Sequence, residues 1–420
     1  MAAPARAKAG GAGTGRPLPA SGAAPGRAAP EASGAWSRAA ARGGPLLALL
    51  AVAAPTSLAL APGPAHAEAA QGPLEQRIPG TLRDLFLEVV PWDARAPAGG
   101  RIRLGWSMAN DWSTPTVLGK GSEAVYLRLD EQADALDVSL RLPWSAAAPL
   151  GPAWLRRVSS ALEARVTWHW GGWSDGAIQA WHSGWVFYGF GRRLYPPDQV
   201  HVNLGAPGAS ALADVQATTF AVGDLVLRNQ VLLWEGGEPL APGPAARAGV
   251  SLRLDVKFPT GSLARLGGSG GWDVALGASG TWQVAPWLVG HATGAVAAWS
   301  GLPGRFPMQP ARWHGSLDLS LVFLAGDLSV VLEDRLTSPI FEPGWIFVDA
   351  GPDGELQTSA TYAATRTQNQ VTLGVRWGPL TFWISEDYFL GWNPGAGPNS
   401  WFYNSNAPDL AVGLALTLGL

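Results

Sequence analysis

From Val250 to Phe258 the chain reads Val-Ser-Leu-Arg-Leu-Asp-Val-Lys-Phe, apolar at every even position and polar at every odd one until the closing Phe. Successive side chains of a strand point to opposite faces, so this segment has one oily face and one carrying Arg253, Asp255 and Lys257. A helix cannot gather such a pattern on one side, because its period is 3.6 residues rather than two. The same alternation returns at Arg101–Trp112, Ala124–Asp130, Leu136–Leu142, Gly223–Trp234, Trp272–Trp282 and Trp287–Trp299. It continues at Ser316–Leu324, Asp327–Glu333, Gln370–Trp377, Leu380–Ser385 and Leu410–Leu420. Tight joints at Val284-Ala-Pro286, Ala325-Gly326 and Gly378-Pro379 link several of these segments as hairpins. Alternating segments near ten residues long are the length that crosses a membrane as strands, with lipid outside and a polar lumen inside. The expectation is an all-β transmembrane antiparallel barrel of about 12 strands, within a range of 10–14.

Composition narrows the remaining classes. Only 15% of residues are charged, low for a soluble domain, and the net charge of −3 offers no basic surface for nucleic acid. The 22 Trp suit a barrel, whose rims carry aromatic girdles where rings meet both hydrocarbon and water. The absence of cysteine removes disulfides, thiolate metal sites and a thiol nucleophile. The six His are scattered with no HExxH-type pair, so no metal and no cofactor are expected.

Residues 1–67 have the order of an export leader. A long Ala/Gly/Pro-rich basic region precedes Leu46-Leu-Ala-Leu-Leu-Ala-Val-Ala-Ala54, and Ala65-His66-Ala67 forms a small-x-small cleavage site. The barrel is then expected over 68–420. Residues 147–215 interrupt the rhythm: Trp154, Leu155, Val158, Ala161 and Leu162 have helical spacing, while Leu162 to Trp170 alternate like a strand. With Ser174 or Asp175 capping a short helix that carries Ile178, Trp181 and Trp185, this stretch is expected to fold into the lumen as a partial plug or to cover one mouth.

Several motifs in fixed order extend the reading. They are Gly72-Pro73-Leu74, Gly171-Gly172-Trp-Ser-Asp175 running on to His182, Gly191-Arg192, Lys257-Phe-Pro259-Thr260-Gly261, Ser269-Gly270-Gly-Trp-Asp273, Glu386-Asp387 and Asn406-Ala-Pro408-Asp409. Together they make residues 72–420 similar to the outer-membrane proteins grouped as domain of unknown function 3187. That resemblance implies an exported barrel with a signal peptide, and it implies no activity. Members of such barrel classes usually end on an aromatic residue, whereas this chain ends on Leu420.

The candidate polar cluster comprises Asp175, His182, Arg192, Arg253, Asp255, Lys257 and Asp273. Asp175, His182 and Arg192 are expected to tie an in-folded helix to the inner wall, because ionisable groups kept from water need partners. Asp137, Arg141, Arg253, Asp255, Lys257, Asp318 and Arg376 fall on the luminal side of their strands, a mixture of signs that argues against strong ion selectivity. The adjacent carboxylates Glu333-Asp334 and Glu386-Asp387 are expected at strand ends, pointing to opposite faces. The leading expectation is a non-enzymatic bacterial outer-membrane barrel: a narrow channel or transporter, or a structural barrel. Its partners would be outer-membrane lipid, the barrel assembly machinery and a small solute. The alternative is a lipid-acting hydrolase or acyl-transferase with His182 or His169 as base and Ser174 or Ser183 as nucleophile, which requires a Ser–His contact.

Overall fold

The computed structural model describes residues 71–420 except 96, 98, 121–122, 148–149, 177–197, 206–210, 241–245, 303–308, 342–345, 351–355, 360–366 and 389–409. The expected leader, residues 1–67, lies outside the described residues.

The strands, in chain order, are β1 (Arg101–Lys120), β2 (Glu123–Pro143), β3 (Val158–Trp170), β4 (Val202–Gly205), β5 (Ala213–Val215), β6 (Thr219–Val222), β7 (Leu225–Gly236), β8 (Ala248–Phe258) and β9 (Asp273–Ala285). There follow β10 (Leu288–Ala298), β11 (Trp313–Ala325), β12 (Leu328–Thr337), β13 (Ile346–Ala350), β14 (Leu356–Ser359), β15 (Gln368–Trp377), β16 (Leu380–Tyr388) and β17 (Ala411–Gly419). Twelve of them form the wall. Antiparallel pairings run β1–β2–β3–β7–β8–β9–β10–β11–β12–β15–β16–β17, and β17 returns to β1 with Arg101 opposite Gly419 and Ala109 opposite Ala411. The ring is closed, which removes the sheet edges that an open sheet must protect. The short strands β4, β5, β6, β13 and β14 belong to longer connections, with β6 continuing the line of β7 along β3.

Alternation in sequence becomes inside and outside. Along β8, Val250, Leu252 and Leu254 are exposed while Ser251, Arg253, Asp255 and Lys257 are buried. The connections β2–β3, β7–β8, β9–β10, β11–β12 and β15–β16 lie at the rim where β1 begins and β17 ends. At this rim Trp144, Trp154, Trp234, Trp282, Trp287 and Trp377 are exposed; at the opposite rim so are Trp173, Trp272 and Trp313. Trp272, just ahead of β9, and Trp282 on it mark the two girdles. Ten residues at ~3.3 Å, tilted by ~40°, put the girdles ~25 Å apart, the height of a barrel's apolar band.

Two expectations are corrected. Residues 147–215 are not an irregular stretch throughout, because they contain β3, a wall strand of 13 residues. Strand periodicity prevails there because Glu163 and Arg165 must face the polar interior and Leu162 and Val166 the outside. Glu333-Asp334 do not end a strand either, since β12 continues to Thr337. Glu333 is buried inside; Asp334 points outward between Leu332 and Leu336.

Candidate functional site: a lumen filled by Gln71–Arg95

The barrel's interior is occupied by the residues just ahead of β1. They contain almost no regular structure, yet Leu74, Ile78, Leu85, Phe86, Leu87 and Trp92 are among the most buried side chains of the molecule. The segment enters at the rim where β1 begins and β17 ends, where the Gln71 carbonyl accepts from His291 Nε2 at 2.8 Å and the Gly72 carbonyl accepts from Arg376 at 2.6 Å. It climbs past Glu333 and Thr372, with the Leu74 N–H on Glu333 Oε2 at 3.2 Å and the Gln76 amide on Thr372 at 2.7 Å. It turns over near the opposite rim, where the Asp84 N–H reaches the Gly80 carbonyl at 2.9 Å. The descending arm runs down β7, β8 and β9: the Leu87 N–H on Asp273 at 2.9 Å, the Asp93 carbonyl on Gln230 at 2.9 Å and the Ala94 N–H on Thr281 Oγ1 at 2.9 Å. An extended chain away from water must satisfy every N–H and C=O. Here wall side chains do what a neighbouring strand would otherwise do.

Lys257 is an anchor with four partners. Its Nζ donates to Asp224 and Ser269 at 2.8 Å each and to the Leu85 carbonyl at 2.9 Å, with Asp273 Oδ2 at 3.1 Å. Arg253 donates to the Val90 carbonyl and, at 3.0 Å, to Asp255, which also accepts from Arg228 at 2.7 Å. Trp92 lies between two cations, with the Arg141 guanidinium 4.1 Å and the Arg253 guanidinium 4.8 Å from its ring. Arg165 links Asp84 of the segment to Asp137 of the wall, and Arg335 links Glu88 to Asp318. Buried charges persist only when paired, and each of these arginines has a carboxylate partner, Glu75 in the case of Arg141.

Apolar contacts complete the fit. Leu74 and Ile78 pack on Val289, Val322, Val331 and Trp383, whereas Leu87 and Val89 meet the small inner face of β9 and β10 at Ala275, Ala295 and Ala297. The apex residues Leu82, Leu85 and Phe86 join a cluster with Val202, Leu204, Val215 and Ile340 of the rim connections. Phe86 stacks on Trp299 at 4.6 Å and Trp299 on His314 at 4.1 Å, beside a small cavity also lined by Arg83, Glu88 and Arg335. Gly374 leaves room for this packing, since a Cβ there would lie 2.4 Å from Leu74.

Of the candidate cluster, Arg253, Asp255, Lys257 and Asp273 come together around the descending arm. Asp175 does not join them. It accepts from Asn110 Nδ2 at 2.9 Å and from the Asp198 N–H at 2.8 Å. Asn110 shares its face of β1 with Leu104 and Trp106, the outward face, so Asp175 and Asp198 lie against the outside of the wall. His182, Ser183, Arg192 and the expected helix at Ile178–Trp185 lie outside the described residues. For the enzyme alternative, His169 is buried in the lumen with Nδ1 on Glu131 at 2.8 Å, and Ser174 lies against Asn110. A Ser–His contact that the sequence did not suggest joins Ser338 Oγ and His314 Nδ1 at 3.0 Å. His314 faces inward, on the side of Asp318 and Ser320, rather than toward the outer face. Among the described residues no group of three potential ligands could hold a metal ion.

No protein-family model matches the chain, and no curated protein matches it. Among solved structures it is similar to an outer membrane channel from Pseudomonas putida F1, at 15% identity and a TM-score of 0.42 over 79% of this chain and 100% of that one. A FadL homologue from Pseudomonas aeruginosa gives 7% identity and 0.32 over 76% and 89%. The transport unit of the autotransporter AIDA-I from Escherichia coli gives 8% and 0.30 over 77% and 90%. At this distance the likenesses bear on function not at all, and the closed ring of pairings defines the fold without them.

Proposed function

We propose that this protein is a bacterial outer-membrane barrel serving as a narrow channel for small solutes, closed at rest by Gln71–Arg95. The apolar outer surface between two Trp girdles supports a membrane location, with outer-membrane lipid and the barrel assembly machinery as its partners. The observation that carries the channel reading is that the luminal segment takes part in no strand pairing, held by wall side chains and a main-chain bond from the Ser269 N–H to the Leu85 carbonyl, while the wall closes without it. In an eight-stranded barrel wall side chains fill the interior; a wider ring leaves space, and here that space holds a detachable piece of backbone. Removing the segment breaks no strand pairing. Inner-wall charges of both signs, such as Arg228 beside Asp255 and Arg335 beside Asp318, suit a passage of weak ion selectivity.

Planar-bilayer recording tests the reading. Full-length protein should show low current with brief openings, and Lys257→Met, which removes one of the bonds to the Leu85 carbonyl and leaves that from the Ser269 N–H, should raise the open fraction several-fold. Silence in both proteins, with both correctly folded, would leave a structural barrel as the better description.

A further inference from the structure

We infer that the lumen is a binding channel for extended peptide, and that Gln71–Arg95 occupies it as a resident ligand. This rests on the reading of that segment as a detachable plug and names the class of molecule that takes its place.

The wall reads main chain. Arg376 donates to the carbonyls of Gly72 and Pro73, Arg335 to Gln76 at 3.4 Å, Arg165 to Arg77 at 3.0 Å, Lys257 to Leu85 at 2.9 Å and Arg253 to Val90. Acceptors on the wall meet the N–H groups of Leu74, Leu87 and Ala94. These contacts are made to main-chain carbonyls and N–H groups, which every peptide carries whatever its side chains. Side chains leaving the backbone fall into separate apolar patches, Val289 and Val331 for the ascending arm, Ala275 and Ala295 for the descending one. Backbone hydrogen bonds for affinity and pockets for alternate side chains for selectivity are the two parts of peptide recognition by extended-chain binders. A sugar or an inorganic ion carries no such row of amides. Some contacts, such as Asp84 with Arg165, do depend on the resident sequence, so a foreign peptide binds more weakly than the plug itself.

The absence of native cysteine gives a direct test in the full-length protein. In Gln71→Cys the sole thiol replaces a buried residue at the foot of the ascending arm. A capped peptide of about ten residues, of mixed Ala, Leu, Ser and Gly, is added in detergent or vesicles, and the rate of maleimide labelling is followed. The tethered plug competes at an effective concentration in the millimolar range, so millimolar peptide should accelerate labelling by about threefold or more. A malto-oligosaccharide of similar length should leave the rate unchanged. If the Gln71→Cys thiol labels at full speed without peptide, the same measurement at Ala94→Cys, on the buried descending foot, takes its place. A rate unmoved by peptide overturns the inference, and so does equal acceleration by the saccharide. Acceleration in a protein that never conducts would remove the channel reading and leave peptide binding standing; conduction with no response to peptide would do the reverse.

Discussion

The Arg95 guanidinium donates to the side-chain oxygen of Gln71 at 3.3 Å, across 24 positions of sequence. These residues are the two feet of the luminal segment, and their contact shows that the chain enters and leaves the barrel by the same mouth. A second link keeps the descending foot in place: Arg95 Nε donates to Asp93 Oδ1 at 3.0 Å. The segment is therefore a loop standing in the lumen on joined feet, with its apex built into the apolar cluster at the far rim.

The facing of β8 predicts two different kinds of damage. Leu254→Arg puts a cation on the apolar band and should cost about 2–4 kcal/mol. The sequence alone suggests that luminal replacements are mild, but Asp255 is buried between Arg228 and Arg253. Asp255→Ala leaves those cations short of a partner and should cost about 3–5 kcal/mol. Urea unfolding in vesicles separates them: Leu254→Arg should also fail to insert in thicker bilayers, while Asp255→Ala should insert normally and unfold early. A neutral Leu254→Arg would mean that this face does not meet lipid.

Asp334 is an outward carboxylate in the midst of the apolar band, and its Oδ1 has no hydrogen-bond partner. Replacing it by Leu removes a polar group from lipid contact at no loss of any hydrogen bond. Asp334→Leu should stabilise the barrel by about 1 kcal/mol, somewhat less than the effect of a basic residue at such a depth. Loss of stability in the same unfolding assay would show that the carboxylate has a partner in the membrane.

Export should remove residues 1–67, since Ala65-His66-Ala67 closes a basic and then apolar leader. N-terminal sequencing of protein taken from the outer membrane should read Glu-Ala-Ala-Gln-Gly. That cut leaves only Glu68, Ala69 and Ala70 ahead of Gln71, so the ascending foot begins almost at the new terminus; a product that keeps Leu46–Ala54 contradicts the prediction.

The wall was legible because its signal is local. Each strand sorts polar from apolar every second residue, as Arg253-Leu254-Asp255 does, and the strand's facing follows without knowledge of any neighbour. The plug was not legible, because Gln71–Arg95 has no period of its own and its partners are remote: Gln71 meets His291, and Gly72 meets Arg376. A clue was present in Gly374, an inward position on β15 where a side chain would strike Leu74. Glycine within an otherwise alternating strand marks a close approach, but sequence does not say of what. Asp175 reads as luminal in sequence because a buried acid suggests a polar interior; it instead meets Asn110, on the outward side of β1.

The plugged-channel reading is tested most directly by locking the loop to the wall. The Ala94 N–H donates to Thr281 Oγ1 at 2.9 Å, which makes these residues neighbours on loop and wall, and no native cysteine competes. In the double variant Ala94→Cys, Thr281→Cys, single-channel openings in planar bilayers should vanish on oxidation and return on reduction. Equal current in the oxidised and reduced forms, with the disulfide verified by mass, would mean that Gln71–Arg95 does not gate this barrel.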